Sequence, residues 1–112
     1  MFNQGLALSK LGKIEASIPV FLEALKGFKD PKEGGNDKNG KYNCEFNLGV
    51  NFRKLGDFDN SAIHFKEAAT ECAERPAVYN NLGLTEFERS EFEIAIQNFD
   101  KAVDLSRDLN KT

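Results

Sequence analysis

Asn47-Leu48-Gly49-Val50-Asn51-Phe52-Arg53-Lys54-Leu55-Gly56-Asp57-Phe58 is answered, 34 residues on, by Asn81-Leu82-Gly83-Leu84-Thr85-Glu86-Phe87-Glu88-Arg89-Ser90-Glu91-Phe92. The spacing persists beyond that stretch, with Phe65 returning as Phe99 and Ala68 as Ala102. A first copy stands upstream at a spacing of 44 residues, where Leu11-Gly12, Ile14, Ser17, Phe21 and Ala24 match Leu55-Gly56, Phe58, Ser61, Phe65 and Ala68. The ten additional residues lie in one Gly-rich stretch. A fixed period of about 20–50 residues marks stacked supersecondary units, none of which buries its apolar face alone. Such arrays expose extended grooves to other proteins and seldom enclose catalytic pockets.

Within each unit the apolar period is helical. Phe58, Ser61, Ala62, Phe65, Ala68, Ala69 and Cys72 fall at steps of three and four, as do Phe92, Ala95, Ile96, Phe99, Ala102, Val103 and Leu105. Six helices in three antiparallel pairs follow, at roughly 1–10, 13–28, 41–54, 58–74, 76–89 and 91–108. Asp57 suits the start of the fourth helix, Pro76 the first turn of the fifth, and Ser90-Glu91-Phe92-Glu93 reads as a capping box for the sixth. The stretch Lys29 to Gly40 has three glycines, one proline and almost nothing to bury, so it is predicted to be a loop. Gly5, Gly49 and Gly83 each cost a helix about 1 kcal/mol against Ala. Their recurrence predicts close helix approach, facing Ala24, Ala68, Ala102, Ser17, Ser61 and Ala95, with Phe21, Phe65 and Phe99 filling the space between pairs. Pro19 lies inside the second helix but off its apolar stripe, so it is expected to face solvent.

Composition limits the function. A chain of 112 residues allows one domain, and 29% charged with 40% hydrophobic residues is an ordinary soluble balance. No stretch has the ~18 consecutive apolar residues of a membrane span, and no signal-peptide pattern precedes the first helix. Net charge runs from +1 over residues 1–40 to −3 over 76–112. An acidic final third repels phosphates and argues against nucleic acid. Cys44 and Cys72, 28 residues apart with no His or Cys at ligand spacing, read as reduced, buried and without metal. Together these features favour a cytoplasmic protein.

The recurring Leu-Gly, the Leu-Gly-Asp-Phe turn, and the small residue, Phe and Ala that follow resemble the tetratricopeptide repeat family. Residues 42–75 and 76–109 resemble full repeats, and residues 1–28 a third that lacks the beginning of its first helix. The insertion is placed at 29–41, inside a single domain of residues 1–112. The resemblance implies an all-α fold, a right-handed superhelical array of antiparallel helix pairs. It implies a non-catalytic protein–protein interaction module that takes a partner segment in its concave groove. The alternatives are a structural element of a ciliary or cytoskeletal assembly, self-associating through exposed repeat ends, and the targeting region of a longer enzyme. The truncated first helix reads as a piece cut from a longer array. The sequence departs from the family pattern at Lys29, Ala73 and Arg107, where Pro is common, and at Glu45 and Glu86, where an aromatic or apolar side chain is expected.

Catalytic constellations are not recognisable. His64, the sole histidine, has no nucleophile at useful spacing and is expected to be a surface residue. Residues 35–40 fail as a calcium loop, because Gly35 takes the first carboxylate's place and Glu45 misses the closing one. No cofactor is implied. Asn47 and Asn81 occupy equivalent places on the first helix of their repeats, where Asn is a poor helix former. The resemblance puts that helix on the concave face, and the pair resembles the asparagine ladder of a Ser/Thr-modifying glycosyltransferase. There the amides hold a peptide backbone; the alternative is simple tolerance of a wet groove. Phe46 with Asn80, Val50 with Leu84, Arg53 with Phe87, and Lys54 with Glu88 would be groove neighbours. Packing against the adjacent repeat is the other reading of Val50 and Leu84. A co-chaperone subtype clamps a C-terminal carboxylate; Asn47 matches its central Asn, but Phe2, Leu6, Ala77 and Asn81 stand where its basic residues belong.

Overall fold

The described residues of the computed structural model form six helices: α1 Phe2–Lys10, α2 Ile14–Lys29, α3 Lys38–Lys54, α4 Phe58–Glu71, α5 Pro76–Glu88 and α6 Phe92–Asn110. Residues 1–30 and 37–110 are described, with side chains as far as 108. Consecutive helices pack on one another, as an array of antiparallel pairs requires, and the six together form an all-α solenoid. Two apolar clusters lie at the joints between pairs. Phe21, Ala24, Leu25, Cys44 and Leu48 fill the first, and Tyr42, Phe65, Ala68, Cys72, Val78 and Leu82 are among those filling the second.

One contact closes each pair. A Cβ added at Gly5 would stand 2.8 Å from the Phe21 ring, one at Gly49 2.8 Å from Phe65, and one at Gly83 2.7 Å from Phe99. Carbon atoms need about 3.5–4.0 Å, so only the glycine backbone admits the ring. The expectation of close approach is right, but the partner is different. The glycine faces the phenylalanine of its own pair rather than the small residues. Ser61 is used otherwise: its hydroxyl donates to the Gly49 carbonyl at 2.7 Å.

The turns inside the pairs repeat as well. The backbone N–H groups of Lys13, Asp57 and Glu91 each donate to the carbonyl five residues back, on Leu8, Phe52 and Glu86, all at 2.9 Å. This six-to-one bond needs a left-handed residue just before the donor. Gly12 and Gly56 supply it at φ +82°, and Ser90 supplies it at φ +63°. Ser90 is therefore the turn residue and not the cap of α6, which overturns the capping-box reading. Asp57 caps α4 as expected, accepting from the Asn60 N–H at 3.2 Å. Pro76 opens α5, and Pro19 is exposed on α2.

Two boundaries differ from expectation. Helix α3 starts at Lys38, not near 41, because Asp37 accepts from the Gly40 N–H at 2.9 Å and caps it. Gly40 is buried against Phe28, where a Cβ would come within 2.5 Å of the ring. Lys38-Asn39-Gly40 is helix rather than loop; of the expected loop, residues 31–36 lie outside the described residues. The stripe of α6 is also only half covered. Ala95 and Ala102 are buried, whereas Ile96 is 59% and Val103 48% exposed. No helix among the described residues follows α6 to cover them.

Two stability outcomes are expected. Gly49→Ala gains about 1 kcal/mol of helix propensity but forces the Phe65 ring out of place, at about 1–3 kcal/mol. Urea midpoints should fall for Gly49→Ala and fall further for Gly49→Leu; a rise with Ala would mean that the ring moves freely. Ser90→Gly removes a left-handed L-residue, which costs about 1–2 kcal/mol, and should raise the melting midpoint. An unchanged or lower midpoint would show that the Ser90 side chain contributes more than the backbone does.

Candidate interaction groove

Asn47 on α3 and Asn81 on α5 are half-buried and arranged alike. Asn47 Nδ2 donates to the Asn43 carbonyl at 2.8 Å, and Asn81 Nδ2 donates to the Ala77 carbonyl at 2.9 Å. Each side chain is thus fixed on its own helix one turn back. An amide has a second N–H and a carbonyl with two lone pairs, so each remains able to donate and to accept. An exposed Asn3 occupies the equivalent place on α1. It lies 44 residues before Asn47, the offset that relates Gly5 to Gly49, so the sequence held the signal for a third rung.

Arg53 joins this face across the repeats. Its Nη1 donates to the Asn81 backbone carbonyl at 3.3 Å, and its guanidinium stands 5.9 Å from the Phe65 ring centroid. Burial lowers its pKa below the usual arginine value, and the carboxylate of Glu88 opposes that shift. Arg53, Phe58, Leu84 and Glu88 line one depression, in which Leu84 is 42% exposed. Lys54 is exposed and does not line that depression.

The remaining sequence candidates lie elsewhere. Phe46 is half-buried, with its ring 5.7 Å from Tyr42 and 5.5 Å edge-on from Phe65. Val50 packs against the same cluster. Both positions serve the joint to α5. Asn80 lines a cleft with Pro76, Ala77, Phe99, Ala102 and Val103 on the far side of α5 and α6. The structure therefore gathers Arg53 and Leu84 on the face of Asn81, turns Phe46 and Val50 towards the joint to α5, and leaves Asn80 exposed in the cleft beside α6.

The buried charges explain the two glutamates that stand where the family pattern predicts apolar side chains. Glu45, 3% exposed, lies 2.6 Å from His64 Nδ1, with the Lys29 ammonium at 4.0 Å. His64 also stacks on Phe52, with centroids 5.3 Å apart and planes 5° apart. The histidine is not a surface residue but the partner of a buried carboxylate. Glu86, 1% exposed, accepts from Arg89 at 2.9 Å, and Arg89 reaches Asp59 at 3.0 Å. The hydrogen bond to Glu86 raises the pKa of Arg89 above its ordinary value. Cys44 is pushed up to about 12, first by burial and then by Glu45 and Asp37, so its thiolate is not available as a nucleophile. Among the described residues no three His, Cys, Asp or Glu side chains converge on a metal position. Nor is any of their helices long and apolar enough to cross a membrane.

Residues 77–111 match a family model described as tetratricopeptide repeat, and residues 1–26 match a second with the same description. The chain belongs to the tetratricopeptide repeat family. One of the solved structures that this tetratricopeptide chain resembles is a MamA RS-1 ArsTM double mutant. The match has a TM-score of 0.61 and 16% identity, and covers 99% of this chain and 76% of that one. At that identity the likeness concerns the fold. A comparison with curated proteins gives no match. Membership assigns the chain to the protein-interaction and scaffold modules.

Removing His64 tests the buried pair. His64→Ala leaves the Glu45 carboxylate short of its nearest partner, a loss of about 1–3 kcal/mol. Adding Glu45→Tyr removes the orphaned charge and supplies the aromatic found at Tyr79, so the double variant should recover most of the loss. Equal urea midpoints for the single and double variants would show that the pair is not coupled.

Proposed function

We propose that the chain is a non-catalytic interaction module that holds an extended partner segment along the concave face formed by α1, α3 and α5. The observation that carries this reading is the matched pair Asn47 and Asn81. Each is fixed by one hydrogen bond to its own helix and each retains an unused donor and acceptor. A peptide backbone offers one N–H and one C=O per residue, so amides at regular spacing suit it whatever its side chains are. Leu84 supplies an apolar contact, and Arg53 and Glu88 place one charge of each sign in the same depression. These features fit a partner that is extended and is held through its backbone. The two buried, unpaired cysteines agree with a reducing, cytoplasmic setting. A second reading, a scaffold element joined to others through its ends, is favoured by the exposed Ile96 and Val103 on α6.

The experiment is a selection of 12-residue peptides from a displayed random library on the immobilised protein, followed by calorimetric titration of the selected peptide. Asn47→Ala with Asn81→Ala should bind about tenfold more weakly, a difference of ~1.4 kcal/mol. Both changes favour helix, so the melting midpoint should hold or rise. Unchanged affinity for the double variant would place peptide binding elsewhere on the molecule.

A further inference from the structure

Opposite charges that do not pair with each other mark one depression at the edge of the groove. Arg53 from the end of α3, Phe58 from the start of α4, and Leu84 and Glu88 from the last turns of α5 line a space of about 410 Å³. Leu84 and Glu88 follow Asn81 at steps of three and four, so all three share one side of α5. Arg53 is half-buried, and its Nη1 donates to the Asn81 carbonyl at 3.3 Å; no other hydrogen bond within the protein uses its N–H groups. Burial lowers the pKa of Arg53, which marks a cation already short of water. Glu88 is exposed, favours that cation through its charge, and makes no ion pair with it.

What such a depression accepts follows from the cost of leaving either charge without a partner. An apolar side chain would touch Phe58 and Leu84 but take water from Arg53 and Glu88 and return nothing. A carboxylate would pair with Arg53 and face Glu88, and an ammonium would pair with Glu88 and face Arg53. A primary carboxamide meets both. Its oxygen accepts from the guanidinium and its NH2 donates to the carboxylate, and the two atoms sit side by side on one carbon, so the group bridges charges that do not meet directly. Its aliphatic stem rests on Leu84 and Phe58. The matching places in the preceding repeat are Ser9, Ile14, Val50 and Lys54. There Ser9 is engaged by Asn51, Val50 packs in the joint, and no acid is present. Of these two matched sets of four, only the second carries both charges.

We propose that this depression takes a glutamine or asparagine side chain of the bound partner segment, and so adds a sequence-selective contact to a face that otherwise grips backbone. The proposal rests on the groove reading above. The amides of Asn47 and Asn81 fix where the partner backbone lies, and Arg53 with Glu88 decides which residue stands at this one place.

Parallel selection of the same displayed peptide library on wild type, Glu88→Gln and Arg53→Met, with residue frequencies compared at each peptide position, provides the test. On wild type one position should be held by Gln or Asn. Changing that residue to Glu, Lys or Leu in the selected peptide should weaken binding about tenfold in calorimetric titration. Glu88→Gln leaves the guanidinium unopposed and should move the same position to Asp or Glu. Arg53→Met leaves the carboxylate unopposed and should move it to Lys or Arg. Asn47→Ala with Asn81→Ala should weaken the carboxamide peptide and its Leu-substituted form by the same factor, since backbone contacts do not read that side chain. Peptides that lose affinity on the asparagine variant but have no carboxamide position overturn this proposal and leave the groove reading standing. A wild-type preference for an acidic or basic residue overturns it, and so does a preference that neither charge variant moves. A library that yields no binder to wild type overturns both readings. Circular dichroism checks each fold; the exposed Glu88→Gln change decides the outcome should Arg53→Met fail to fold.

Discussion

A phenylalanine ring lying on a glycine backbone holds each helix pair together, and most of the array depends on that contact. The ring reaches the backbone only where no Cβ intervenes, so the glycine fixes both the separation of the two helices and their register. Once Phe65 is seated on Gly49, Ser61 comes within hydrogen-bond reach of the Gly49 carbonyl, and the alanine at 68 enters the cluster that α5 completes. The repeated cost of glycine in three helices is offset by dense packing at three points. Because the pairs are alike, their outer surfaces are alike, and one pair can stack on the next.

Polar groups then distinguish one joint from another. Asn51 bridges Ser9 and Ser17 at the first, and Thr85 meets Ser61 at the second. A buried hydroxyl or amide left without a partner is costly, so these contacts penalise a slip in register more than an apolar contact would. The buried glutamates act within and beside the pairs. Glu45 ties α3 to His64 on α4, and Glu86 engages Arg89, which in turn reaches Asp59 on α4. Both depart from the family pattern, and both have a cationic or titratable partner at hydrogen-bond distance. The departures therefore change how these joints are held without opening the fold.

Two kinds of exposed surface stand out. One is the face that carries Asn47, Asn81, Arg53 and Leu84, where fixed amides and a guanidinium stand beside an apolar side chain. The other is formed by the ends, where Leu11 at one side and Ile96, Phe92 and Val103 at the other are left exposed.

The sequence by itself determined the number of helices, their pairing, the glycines at which they approach, and the core places of Phe21, Phe65, Ala24, Ala68 and Ala102. These follow from local periodicity and from a repeat that states each requirement more than once. It also marked Asn47 and Asn81, and through the 44-residue offset it held Asn3. Tertiary structure alone decided that Phe46 and Val50 serve the joint to α5, that His64 is the partner of Glu45, and that Ser90 takes the left-handed turn rather than the cap. It also decided that Ile96 and Val103 are left uncovered. The physical reason is common to all of these: each depends on what lies across the interface from a residue. A helical period tells which residues share a face, but not which neighbour, if any, that face meets.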